Sequence, residues 1–141
     1  MRTKLHQDDI AFLATIPTST DPKLAEWPDF EEVYFSVPAD DDDAVNRGIR
    51  RSRAAREASP YQRGDVVVLN FGSTEEPDLR KCLILRVWSE YLERRMYYIP
   101  KYRVVWETKA GKWSHGFKYV WPGQIERGMK LFRGVSADDS E

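Results

Sequence analysis

The feature that most constrains the fold of this 141-residue chain is a series of short apolar runs that follows Tyr61. Residues 63–71 read RGDVVVLNF, residues 81–88 read KCLILRVW and residues 101–107 read KYRVVWE. Each run is rich in β-branched or aromatic residues and is bounded by polar turn sequences, which is the pattern of strands. The runs at 113–120 (WSHGFKYV) and 129–135 (MKLFRGV) predict a fourth and a fifth strand. Five short strands in about 75 residues predict a small barrel or sandwich.

One strand and one helix are predicted ahead of these runs. Residues 31–37 (EEVYFSV) alternate apolar and polar side chains, which predicts a strand that Pro38 ends. A helix is predicted to begin near Ala44, with Asp43 as its N-cap, and to stop at Ser59-Pro60. In helical projection its small residues share an inner face: Val45, Gly48, Ile49, Ser52 and Ala55. Its arginines are predicted to decorate the outer face: Arg47, Arg50, Arg51 and Arg53.

Charge is segregated along the chain although the net charge is only −1. Residues 1–45 carry 11 acidic and 3 basic side chains, whereas residues 46–134 carry 9 acidic and 19 basic ones. We therefore divide the chain into four parts. They are an acidic, weakly structured leader over 1–30 with a short helix at 8–13, a strand and basic helix over 31–60, a β domain over 61–134, and an acidic tail over 135–141. Such segregation indicates interaction with a charged partner.

The β domain resembles SH3-like small barrels, the group that includes Tudor, KOW and PemK-type proteins. The residues that carry the resemblance are Arg63-Gly64-Asp65 followed by VVVL, then KCLILRV, YRVVWETKAGKW and GQIERG, and they span residues 61–134 only. The resemblance implies a mainly β fold. We expect an SH3-like barrel on which the N-terminal strand and the amphipathic basic helix pack.

Catalytic and metal chemistry are not indicated by the sequence. His6 and His115 lie far apart, and no nucleotide-binding, zinc-protease or nucleophile-elbow motif is present. Cys82, the only cysteine, lies in an apolar run and is predicted to be a buried, inert thiol. No apolar run approaches the roughly 20 residues of a membrane span. We expect a cytoplasmic protein that works by binding, with no cofactor.

Nucleic acid, DNA or RNA, is the partner that the sequence favours. Basic and aromatic residues interleave from Arg86 to Trp121, and this mixture can neutralise phosphates and stack on unpaired bases. The arginine-rich helix adds further cations. The predicted contacts are Arg47, Arg50, Arg51, Arg53, Arg94, Arg95, Lys101, Arg103, Lys112 and Lys118.

Two other functions stay open. A Tudor-like aromatic surface would bind a protein through cation–π contacts, or the chain would inhibit a larger machine. The predicted aromatic surface is Tyr97, Tyr98, Tyr102, Trp113 and Tyr119. The resemblance to PemK-type proteins implies RNA cleavage with Arg80 stabilising a pentavalent phosphate, but Lys81 and Arg86 replace the expected proline and hydroxyl residue.

Overall fold

The computed structural model describes residues 5–37 and 43–134, which form four helices and four strands. In chain order they are α1 (Gln7–Leu13), α2 (Phe30–Ser36), α3 (Ala44–Ala58), β1 (Val66–Asn70), β2 (Leu79–Leu92), β3 (Tyr97–Trp106), β4 (Lys118–Val120) and α4 (Pro122–Phe132). No described helix is long and apolar enough to cross a membrane. The aspartates at 40–42 and the acidic tail at 135–141 lie outside the described residues.

The four strands form one antiparallel sheet in the order β1-β2-β3-β4. β1 pairs with residues 79–83 of β2, and β4 pairs with residues 102–104 of β3. The long β2–β3 hairpin therefore extends beyond both neighbours. We call residues 86–92 of β2 and 97–101 of β3 the arm, and the remainder of the sheet the near half.

The predicted mainly β class is replaced by a mixed α/β arrangement of one sheet and four helices. The strands predicted at 63–71, 81–88 and 101–107 are confirmed, but β2 runs on to Leu92, beyond its predicted end at Trp88. The predicted fourth strand shrinks to three residues plus an isolated bridge between Glu107 and Trp113. Among the described strands no pairing joins β1 to β4, so the sheet is not a closed barrel.

The fifth strand predicted at 129–135 is wrong because residues 129–132 belong to helix α4, and residue 135 lies outside the described residues. Ile125, Gly128 and Met129 are buried at helical spacing against β1 and the sheet behind it. Gly128 permits this close packing, since a Cβ atom there would lie 2.2 Å from the Val68 carbonyl oxygen. Residues 129–132 continue a helix that begins at Pro122, but taken alone their short apolar alternation reads as a strand.

The strand predicted at 31–37 is also wrong, because residues 30–36 form helix α2. The Asp29 carboxylate accepts hydrogen bonds from the Glu31 and Glu32 amides at 3.0 and 3.4 Å. An N-cap aspartate followed three residues later by glutamate is a helix-start signal, and it outweighs the alternation of side chains. Phe35, one of the alternating apolar residues, is 78% exposed.

Two apolar clusters cover the two faces of the near half. The first packs α4 and the loop around Trp27 on one face, against residues such as Ile84 and Val104. The second packs the N-terminal segment on the other face, with Phe12 and Ile16 against Leu83. The short helix predicted at 8–13 is confirmed as α1, and this part of the leader supplies core side chains.

Candidate functional site

A β-bulge in β2 creates the site. The register shifts between Ile84, which pairs with Val104, and Arg86, which pairs with Arg103. Leu85 is the extra residue, and it is buried in the second cluster. Because a bulge reverses the alternation of side chains, Arg86 and the residues two and four positions after it point away from the first cluster. Without the bulge, the Arg86 guanidinium would point into the apolar core.

Two adjoining cavities cross the edge of β2 at this bulge, and we call them together the edge groove. The cavity of about 670 Å³ lies on the α3 side and the cavity of about 420 Å³ lies on the α1 side. They share Gln62 and Val87. Their charged lining is Lys23, Arg53, Arg56, Arg63, Arg86 and Arg103 against Asp8, Asp9 and Glu57.

The cations of the edge groove differ in whether they already form ion pairs. Arg103 donates to the Asp9 carboxylate at 2.9 Å, and Lys23 donates to Asp65 at 3.2 Å. Arg53, Arg56 and Arg86 are exposed and have no ion pair within the described part of the chain. Arginines exposed in this way keep their full donor set for an incoming anion.

Aromatic side chains lie next to the edge groove, on the face of the sheet opposite α3. Arg86 lies 5.9 Å from the Trp88 ring, and Trp88 meets Tyr119 edge to face with ring centroids 5.0 Å apart. Tyr119 is 48% exposed. Lys101, which pairs with Trp88 across the strands, lies 4.7 Å from the Trp121 ring centroid and donates to Glu90 at 2.9 Å. The Lys101 side chain is only 19% exposed, so it holds this cluster together from within.

Helix α3 has the predicted limits, but its predicted inner face is only partly covered. The N-cap is confirmed, since the Asp43 carboxylate accepts from the Val45 amide at 2.9 Å. Val45 and Ile49, predicted to face inward, are 69% and 52% exposed, whereas Ala55 is buried as predicted. Gly48 and Ser52 do face the arm, where the Ser52 and Ser89 hydroxyls share a hydrogen bond.

The arginines of α3 therefore divide between two surroundings. The Arg51 guanidinium lies 4.1 Å from the Tyr34 ring and donates to the Tyr34 hydroxyl. Arg47 and Arg50 are half-buried, with the Arg50 Nε and Nη2 atoms out of contact with solvent. Helix α2 covers this face because it packs on α3, which a strand at 31–37 would not have done. Of the four predicted helix cations, only Arg53 lies in the edge groove.

The other predicted cations lie in separate places. Arg94 and Arg95 are exposed in the turn that ends the arm, and Lys112 is exposed in the turn before the Glu107–Trp113 bridge. Lys118 lies near α4, with its Nζ atom 4.5 Å from the Phe71 ring. The predicted set is thus not one surface: the structure brings Arg53 and Arg103 together in the edge groove and places Lys101 beside them.

The predicted aromatic surface is likewise dispersed. Tyr102 is fully buried and hydrogen-bonded to Ser59, and burial raises the pKa of its hydroxyl. Tyr97 is also buried, with its ring packed on Tyr34. The prediction of a surface position is wrong for both, because tyrosine at regular strand spacing fits a core as well as a surface. Trp113 donates its indole N–H to the Ile16 carbonyl, which leaves Tyr98 and Tyr119 as partly exposed members.

The residues considered for catalysis are engaged elsewhere or stand alone. Arg80 donates through Nε and Nη2 to the Asp78 carboxylate at 3.2 and 3.0 Å. Cys82 is buried, and burial raises the pKa of its thiol to about 12. Within residues 5–37 and 43–134 no group of histidine, cysteine and carboxylate side chains could hold a metal ion.

The predicted contact set leaves out four contributors to the edge groove, Lys23, Arg56, Arg63 and Arg86, although the predicted basic–aromatic stretch begins at Arg86. They come from four different segments and meet only because the bulge and the Gly64 turn bring those segments together. The one signal available was Arg86 itself, a charge that interrupts an otherwise apolar strand. Such an interruption is typical of a bulge or an edge.

Comparison with protein-family models, with curated proteins and with solved structures finds no match for this chain.

Proposed function

We propose that the protein binds nucleic acid along the edge groove. The observation that carries the proposal is the presence of Arg53, Arg56 and Arg86, all exposed and without ion pairs among the described residues, on one continuous groove. Phosphates placed along this line would release counterions and gain charge-assisted hydrogen bonds.

Single-stranded nucleic acid is the form that the neighbouring aromatic residues favour. Trp88 and Tyr119 adjoin the arginine line, and Tyr119 is half exposed. An unpaired base could stack on such a ring, whereas a base inside a duplex offers no free face. Phosphate contacts alone carry no sequence information, so we expect weak sequence preference.

The proposal is tested by fluorescence anisotropy with labelled single-stranded DNA, single-stranded RNA and duplex DNA at several salt concentrations. The full chain is expected to bind single strands with an affinity that falls steeply as salt rises. Replacing Arg53, Arg56 and Arg86 together by Gln is expected to lower the affinity at low salt by at least tenfold. It should also reduce the salt slope by about 2, since each single-strand phosphate contact contributes roughly 0.7.

A matched control carries the same loss of charge outside the groove. Arg94, Arg95 and Arg133 are exposed and line neither of its cavities. Replacing all three by Gln should leave the salt slope within about 0.7 of the wild-type value, the contribution of one phosphate contact. If the control variant loses as much affinity as the groove variant, or if the wild-type chain binds no nucleic acid at low salt, the proposal fails.

A protein partner is the second candidate, and one observation favours it. A cavity of about 540 Å³ between α3 and the arm is lined by the exposed apolar residues Val45 and Ile49, together with Tyr98. Exposed apolar side chains that line a cavity are a common feature of protein interaction sites. Ile49→Glu should then weaken binding of a partner protein and leave nucleic-acid binding intact. The reverse result would assign this cavity to the nucleic-acid surface.

A further inference from the structure

A fourth cavity lies on the opposite side of the near half from the N-terminal segment, between α4 and the loop that joins β1 to β2. Its volume is about 470 Å³, which is within the usual range for small-molecule sites. It shares no lining residue with the edge groove or with the cavity beside α3. It is therefore an independent feature of the molecule.

Among the described residues, the charged side chains that line this cavity are all basic. Lys118 enters from β4, and Arg127 and Lys130 enter from one side of α4. Within residues 5–37 and 43–134 no aspartate or glutamate lines it, and Lys130 pairs with Glu126 at 3.3 Å, where both side chains are about half exposed. Arg127 is exposed and has no ion pair within the described residues. Three cations around one concave space favour an anionic occupant.

The loop wall of the cavity is held in one conformation by its own hydrogen bonds. The Asn70 side-chain oxygen accepts from the Gly72 and Asp78 amides, each at 2.9 Å, and its NH2 group donates to the Ser73 carbonyl at 3.0 Å. Only glycine fits at position 72, because a Cβ atom there would lie 2.3 Å from the Glu76 carbonyl oxygen. A wall that is already ordered costs little further entropy when a ligand binds.

The remaining lining offers both polar and apolar contacts. The Gln124 side-chain oxygen accepts from the Trp121 amide at 2.9 Å, which leaves its NH2 group as a donor. Ser73 and Thr74 add hydroxyl groups, while Leu69 and Leu131 form an apolar patch. An apolar patch beside a basic one suits a ligand with a phosphate end and a less polar body.

We propose that this cavity binds a small phosphate-bearing molecule of nucleotide size. Arg127, Lys118 and Lys130 contact the phosphates, and the body of the ligand lies toward Leu69 and Leu131. This site is separate from the edge groove, and its occupancy does not require nucleic-acid binding there.

The test is isothermal titration calorimetry of the full chain with ADP, inorganic phosphate and adenosine as probes. ADP is expected to bind, adenosine to bind at least tenfold more weakly, and inorganic phosphate to compete with ADP. Arg127→Gln should weaken ADP binding at least fivefold, and adding Lys118→Gln should weaken it further. Arg127 is exposed and belongs to neither core cluster, so its replacement tests the site even if the double variant fails to fold.

Two controls separate this site from the edge groove. Arg133→Gln removes an exposed charge just beyond α4, outside the cavity lining, and should leave ADP binding unchanged. Replacing Arg53, Arg56 and Arg86 by Gln should also leave it unchanged. The inference is overturned if ADP does not bind at millimolar concentration, if adenosine binds as well as ADP, or if Arg127→Gln has no effect.

Discussion

The near half of the sheet and the arm are built from the same two long strands, yet they differ in what covers them. In the near half both faces are packed, by α4 on one side and by the N-terminal segment on the other. In the arm α3 packs against the hairpin, and the opposite face carries Trp88, Lys101 and Tyr119. The bulge at Leu85 marks the change from one to the other. The near half thus provides the stability, and the arm and its edge groove provide accessible charged surface.

The largest loss of stability is expected when a core side chain is removed from the near half. Leu83→Ala should lower the free energy of unfolding by about 2–5 kcal/mol, because Leu83 is fully buried in the second cluster. Leu79→Ala, in the same strand at a partly exposed position, should cost much less. Urea unfolding followed by tryptophan fluorescence measures both. Equal losses would mean that the second cluster is not a packed core.

A second test concerns the packing of α4 on β1. Gly128→Ala is expected to lower the free energy of unfolding by about 1–3 kcal/mol, since its Cβ atom would overlap the backbone of Val68 and Leu69. Gly123→Ala in the same helix is the control, because the nearest atom to its Cβ would be Arg127 Nη1 at 3.6 Å, an ordinary contact. Thermal unfolding should show a lower Tm for the first variant alone. A stable Gly128→Ala protein would contradict this close approach.

Two buried tyrosine hydroxyls and the buried Cys82 thiol predict that the protein is less stable at alkaline pH. Burial raises the pKa of Cys82 from 9.0 to about 12, and it raises the pKa values of Tyr61 and Tyr102 as well. Groups with raised folded-state pKa values give their full stability below the unfolded-state pKa and lose it as pH rises above that value. Urea midpoints should therefore fall progressively above about pH 9.

The Cys82 contribution can be isolated by mutation. Cys82→Ala should make the decline between pH 9 and about pH 12 shallower, by roughly 1 kcal/mol per pH unit at most. At neutral pH the native thiol should react with iodoacetamide much more slowly than the unfolded chain does. A pH dependence identical in the two proteins, or rapid native-state labelling, would show that Cys82 is accessible.

The smallest effects are expected at the exposed positions of α3. Ile49→Ser should change stability by no more than about 0.5 kcal/mol, because Ile49 is exposed. Ala55→Leu in the same helix should destabilise by about 1–3 kcal/mol, because Ala55 is buried against its neighbours. Chemical denaturation of both variants tests how the helix is turned. A larger loss from Ile49→Ser than from Ala55→Leu would contradict the exposure of Ile49 and the burial of Ala55.

The sequence predicted the elements whose signals are local. Asp43 and the Ser59-Pro60 stop defined α3, and the β-branched runs defined the centres of three strands. The prediction from sequence failed where one segment carried the signals of both a strand and a helix. Residues 31–37 alternate like a strand but follow an N-cap aspartate, and residues 129–133 are a short apolar alternation that continues a helix. The packing of α2 against α3 and of α4 against β1 decides that helices form there, and these contacts join segments that are not adjacent in the local sequence pattern.

The candidate site was harder to predict than the fold. Ten basic residues were predicted to contact nucleic acid. The directions of their side chains, however, depend on the bulge at Leu85 and on α2 covering part of α3. A single extra residue in β2 decides whether Arg86 faces solvent or core. The groove therefore gathers Arg53 with cations from other segments, while Arg51 is bound to Tyr34.

The most direct test of the account is a map of amide chemical shifts in a ¹H–¹⁵N spectrum as a single-stranded oligonucleotide is added. If nucleic acid binds along the edge groove, the largest changes in chemical shift are expected at residues 53–63 and 85–88. Smaller changes are expected at residues 117–121, and little change is expected along α4. Changes concentrated on α4 or at the arm turn around Arg94, or the absence of any change at low salt, would contradict the assignment of the edge groove as the nucleic-acid surface.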